Sequence, residues 1–103
     1  MKIYLDDCRT APDGWVRVKT VSAVIEMLKS GNVKHISLDH DLGLPNETGY
    51  DVLIWIEVEV AINNFIPPEI DIHTANPSAR RKMEWAVGAI KKLHAKNKSN
   101  VAG

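Results

Sequence analysis

Apolar and polar positions switch period several times along the chain, and each switch marks an element. Lys2–Leu5 is a short β-type run that stops at Asp6-Asp7. Pro12, Asp13 and Gly14 then supply turn residues. Trp15–Lys19 alternates β-branched or aromatic residues with charge and predicts a second strand. Thr20 or Ser22 can cap the helix that follows. Val21, Val24, Ile25 and Leu28 form its i, i+3, i+4, i+7 stripe, and Gly31 ends it. Lys34–Leu38 predicts a third strand, stopping at Asp39-His40-Asp41, before a loop over residues 42–49. Residues 50–64 predict a helix apolar on nearly every side, which Pro67-Pro68 keeps from continuing. Glu69–His73 predicts a fourth strand. A last helix over about 78–95 carries Met83, Ala86, Val87, Ile90 and Leu93 on one stripe.

The order is β-β-α-β-α-β-α. Strands alternating with helices argue for an α/β fold whose four-stranded sheet is mainly parallel, with right-handed crossovers. Ligands in such sheets bind beyond the carboxyl ends of the strands. Asp6-Asp7, Asp39-His40-Asp41 and His73-Thr74-Ala75-Asn76 are therefore expected on one edge. Residues 1–95 read as a single domain and 96–103 as a flexible polar C-terminal tail.

Charge sharpens this picture. The chain of 103 residues has 13 Lys+Arg and 13 Asp+Glu. Residues 1–76 hold 12 acids and 6 bases, whereas residues 77–103 hold 1 acid and 7 bases. A uniformly basic nucleic-acid binder is excluded; a local basic helix is not. The single cysteine, Cys8, excludes an intramolecular disulfide framework and a multi-cysteine zinc site. An N-terminus that turns acidic after four residues does not read as a signal peptide, and no apolar stretch approaches a membrane span, so a cytoplasmic protein is expected.

Four carboxylates at one edge repel each other unless something positive sits among them. Either a hard divalent cation binds there, Mg²⁺ or Mn²⁺, or one carboxylate stays protonated as a general acid. The metal reading makes Asp6, Asp7 and Asp39 ligands, with Asp41 close by. His40 and His73 at strand ends suit proton transfer near neutral pH. Thr74, Asn76 and Arg80 lie around the start of the last helix, whose free N–H groups suit a phosphate; Thr48, at the start of the middle helix, offers a second cradle. The thiolate of Cys8 is disfavoured by the neighbouring acids. The middle helix, apolar all round, is either fully buried or also faces a second copy through Trp55, Val58 or Ile62, which leaves monomer and homodimer both open.

Asp6-Asp7 after the first strand, Ser37-Leu38-Asp39 ending the third and Thr74 after the fourth resemble a phospho-acceptor receiver domain. There they match the metal-binding acidic pair, the phosphorylated aspartate and the switch hydroxyl. A full first helix and a fifth strand carrying the usual lysine are missing. The chain is more similar to the cyclic-phosphate processing receiver domain family. The pattern is Tyr4-Leu5-Asp6-Asp7-x-Arg9, Gly14-Trp15, Ser37-Leu38-Asp39-His40-Asp41-Leu42-Gly43, Thr48-Gly49-Tyr50-Asp51-Val52, Pro67-Pro68 and His73-Thr74-Ala75-Asn76-Pro77. The blocks cover about residues 2–93. The resemblance implies a small three-layer, receiver-like (flavodoxin-like) fold. It also implies a role with cyclic phosphates, at RNA ends or on cyclic nucleotides. The expected activity is that of a metal-dependent phosphoesterase. Asp39, His40 and His73 would be catalytic; Arg9, Thr48, Thr74, Asn76 and Arg80 would hold phosphate; Asp6, Asp7, Asp39 and Asp41 would hold metal. The alternative is a non-enzymatic module that accepts phosphate on Asp39.

Overall fold

The computed structural model describes residues 1–102. Its elements follow the expected order: β1 (Lys2–Leu5), β2 (Val16–Val18), α1 (Val21–Lys29), β3 (His35–Leu38), α2 (Gly49–Asn63), β4 (Glu69–Ile72) and α3 (Pro77–Ala102). The four strands form one all-parallel sheet in the order β2-β1-β3-β4. Thr20 caps α1 by accepting from the Ala23 N–H. Asn64 ends α2 in the left-handed region at φ 54°, a conformation that Asn tolerates.

The topology decides which sheet face is covered. The chain starts at the inner strand β1, steps out to the edge strand β2, and then moves twice in the opposite direction, β2 to β3 through α1 and β3 to β4 through α2. Right-handed crossovers then put α1 and α2 on the same face. α3 packs beside α2 and against β4 on that face too. One core results, in which Ile3, Leu5, Ile36 and Leu38 of the strands meet Val24, Leu28, Leu53, Ile56, Met83 and Ile90 of the helices. The other face carries Tyr4, Ser37 and Asp71 side by side in register, and no helix covers it among the described residues. The receiver-like α/β arrangement is as expected. The third layer that the resemblance implied is missing because the ten residues between β1 and β2 form no helix and no described element follows α3.

The last helix also differs from expectation. Residues 96–102, expected as a tail, continue α3, and Gly103 lies outside the described residues. A tertiary bond supports the extension: the Asn97 amide donates to the Val60 carbonyl of α2 at 2.8 Å.

Candidate active site

β1, β3 and β4 end side by side, so their last residues and the loops beyond them share one edge. A cleft of about 350 Å³ opens there, with Asp6, Asp7, Arg9, Asp39, Asp41, Thr74 and Asn76 in its wall. His40, His73, Thr48 and Arg80 are not in that wall.

Asp6 is fully buried. Its Oδ1 accepts from the N–H groups of Cys8 (2.9 Å) and Arg9 (2.8 Å), and its Oδ2 accepts from Arg9 Nη1 (3.1 Å). Burial pushes this carboxyl up. The two backbone donors, with His73 and the guanidinium, outweigh burial and hold it at about 2. Asp39 is also buried; one oxygen accepts from the His40 N–H and the other lies 3.5 Å from Arg9 Nη1. Arg9 thus bridges the two carboxylates, and the same nitrogen donates to the His73 carbonyl at 3.4 Å. Arg17 holds the Arg9 loop by donating to the carbonyls of Cys8 and Arg9, both at 3.2 Å. The positive charge that the acidic edge demands is supplied here by the chain itself.

His73 stands behind this pair. Its Nε2 is 3.0 Å from Asp6 Oδ2 and its Nδ1 is 2.7 Å from Ser37 Oγ. An ionised carboxylate only accepts, so Nε2 carries the proton and Nδ1 accepts from the Ser37 hydroxyl. Burial pushes the imidazole pKa down, against the pull of Asp6 and Asp39. Tyr4 stacks on the ring with centroids 4.1 Å apart. With both nitrogens bonded and the neutral form favoured, His73 suits orienting Asp6. Ser37 and Tyr4 are the site residues that sequence reasoning missed. Both stand in the quoted family pattern without a role, and alternation on β1 and β3 puts them on the face away from the helices.

The remaining residues divide by what their polar atoms already do. His40 Nδ1 lies 2.9 Å from the Asp41 carboxylate. Thr48 caps α2: its hydroxyl accepts from the Tyr50 N–H, while its own N–H donates to Asp51. Asn76 caps α3 by accepting from the N–H groups of Ser78 and Ala79. Both helix N-termini thus have donors occupied by side chains of this chain. Thr74 is buried, and its hydroxyl accepts from the Asn76 N–H. Arg80 donates to Glu84 (3.3 Å) and to the Thr74 carbonyl (3.5 Å), behind the cleft. The exposed thiol of Cys8 is pushed up, chiefly by the Asp7 carboxylate.

Two glycines let the walls close. A Cβ on Gly49 would lie 1.7 Å from the Asp39 carbonyl oxygen, so α2 can start against this loop only without a side chain. Gly43 has φ 70°, and a Cβ there would meet the Asp7 carboxylate at 2.8 Å.

The donor set fits a hard divalent cation. Ligand atoms of Asp6, Asp39 and His73 lie within 4.8 Å of one another; the two carboxylates suit Mg²⁺ or Mn²⁺, while His73, with Nε2 donating to Asp6 and Nδ1 accepting from Ser37, has no lone pair left for a metal in this tautomer. Arg9 stands where such an ion would compete.

Among the described residues no helix is long and apolar enough to cross a membrane. Comparison with curated proteins finds no match, and comparison with solved structures finds none. Comparison with protein-family models matches the Cyclic-phosphate processing Receiver domain over residues 1–89, a span that holds every residue of the cleft. The chain belongs to the cyclic-phosphate processing receiver domain family.

Proposed function

We propose that this protein is a metal-dependent phosphoesterase that opens a cyclic phosphodiester in the cleft at the carboxyl edge of the sheet. One observation carries the reading: two buried carboxylates, Asp6 and Asp39, lie in one cleft with the guanidinium of Arg9 bound to both. Such a charge group suits a cation and a phosphate together. Asp6 and Asp39 would hold Mg²⁺ or Mn²⁺, with Asp7 and Asp41 beside them in the wall. Bound there, the metal supplies Lewis-acid polarisation of a phosphoryl oxygen and an acidified water. Arg9, released from the carboxylates, turns its donors to the phosphate, and the Asn76 amide nitrogen lies in the same wall. Thr48 and Arg80 serve the walls, Thr48 as the cap of α2 and Arg80 through the Thr74 carbonyl. His40, next to the wall residue Asp41 that holds its Nδ1, would give its Nε2 proton to the leaving oxygen when it is the doubly protonated imidazolium and would be left neutral, and His73 would keep Asp6 in place.

A ring-opened product of a 2′,3′-cyclic nucleotide, at an RNA end or free, is the expected readout. Asp39→Asn abolishes turnover at saturating Mg²⁺ in this reading, and unchanged turnover overturns it. A second reading rests on the buried Thr74 sharing the cleft with Asp39. Asp39 would then accept a phosphoryl group and switch a partner. Intact mass after acetyl phosphate and Mg²⁺ separates the two, because only the switch adds one phosphoryl group at Asp39. We propose a cytoplasmic location, which the single cysteine fits.

A further inference from the structure

The outer side of the helical layer is apolar where a monomer would be expected to be polar. On α2, Ile54, Val58 and Ile62 are 40%, 46% and 72% exposed, at the i, i+4, i+8 spacing of one stripe. Trp85 on the neighbouring α3 is 84% exposed. Trp55, by contrast, is half-buried with its ring edge-on to Phe65 at 5.5 Å and takes no part in the stripe. Large apolar side chains left this exposed on two neighbouring helices mark a contact site.

Charge says what covers it. α2 carries Asp51, Glu57 and Glu59 and no base. α3 carries seven bases and one acid, with Arg81, Lys82, Lys92 and Lys96 exposed. The two helices run side by side in the same direction: Gly49 is level with Met83, and Val60 with Asn97. The surface is therefore an acidic apolar strip beside a basic one. We propose that it is a two-fold interface in which α2 of one copy lies over α3 of another. A two-fold axis parallel to the helices achieves this, pairs acids with bases twice and keeps levels aligned. It sets the partner's Trp85 against Asp51 and Ile54, and the partner's Lys92 beside Glu57 and Val58. An axis across the helices would instead put α2 on α2, acids facing acids. The inference does not depend on the cleft or on any activity there.

Sedimentation equilibrium of the full chain tests it. A dimer that weakens with salt is expected. Val58→Lys, which faces the partner's Lys92, and Trp85→Glu, which faces the partner's Asp51, should each raise the dissociation constant by about tenfold or more with unchanged circular dichroism. Both residues are exposed, so folding survives the change. Glu57→Lys should weaken the dimer, and adding Lys92→Glu should restore it. In a Cys8→Ser background, Ile54→Cys should form a disulfide with Trp85→Cys of a second chain. A monomer up to millimolar concentration overturns the proposal, and so does cross-linking of Ile54→Cys to itself with none to Trp85→Cys.

Discussion

Both oxygens of Asp6 are spoken for, one by two backbone N–H groups and the other by His73 and Arg9. A buried carboxylate so bonded has a lower pKa in the folded chain than in the unfolded one, about 2 against 3.8. The unfolded state then binds more protons, so the contribution to stability is full above pH 4 and is lost as pH falls through about 2. Asp6→Asn keeps the shape but lacks the charge. It should be less stable than the native chain at neutral pH and should lose less between pH 4 and 2. Urea midpoints across that range read the difference directly, and parallel curves for the two proteins would refute it. Behind Asp6, Ser37 fixes which nitrogen of His73 carries the proton. The role of Ser37 was illegible in the sequence, although its motif was not, because its partner lies 36 residues away. A serine within a strand looks like any outward-facing polar residue. Arg9 was legible as a phosphate ligand but not as the counter-ion of Asp6 and Asp39, because that role depends on how far the loop after β1 folds back.

At the scale of elements, strand and helix order was legible where the apolar period changes from two to 3.6, as from β2 to α1; α2, apolar on nearly every side, was legible from its length and the Pro67-Pro68 stop instead. The gathering of acids at one edge followed from parallel strands alone. Two features did not. The stretch from Lys96 onward has no continuous apolar stripe, and its helix leans on a bond from Asn97 to a different element. The close approach of α2 to the Asp39 carbonyl depends on backbone geometry that no periodicity reports. That approach makes Gly49 irreplaceable. Adding a methyl group normally favours a helix by up to about 1 kcal/mol. Here it would be forced within 1.7 Å of a backbone oxygen, with the Met83 methyl 3.2 Å away on another side. Gly49→Ala is expected to cost a net of about 2 to 3 kcal/mol, the scale of an overpacked core. Equal or greater resistance to urea would show that the loop can retreat freely.

Across the whole molecule, the zero net charge conceals a division between an acidic body and a basic last helix. Within the acidic body the protein must hold Asp6 and Asp39 together, and it does so with a tethered cation. Arg9 and a divalent ion therefore compete for the same carboxylates, which couples metal binding to global stability. Arg9→Gln removes the tethered charge. Without metal, that variant should be less stable than the native chain, since two buried carboxylates then face each other uncompensated. With metal, it should gain more, because a ligand that binds only the folded state stabilises it according to concentration over dissociation constant, and no arginine has to be displaced. Thermal unfolding at rising Mg²⁺ or Mn²⁺ should give curves that converge or cross: a lower melting point for Arg9→Gln at zero metal, and a steeper rise with metal. Identical slopes would mean that the ion binds elsewhere. A flat response in both proteins would mean that the acidic edge is built for Arg9 alone, and the metal-dependent reading would fall with it.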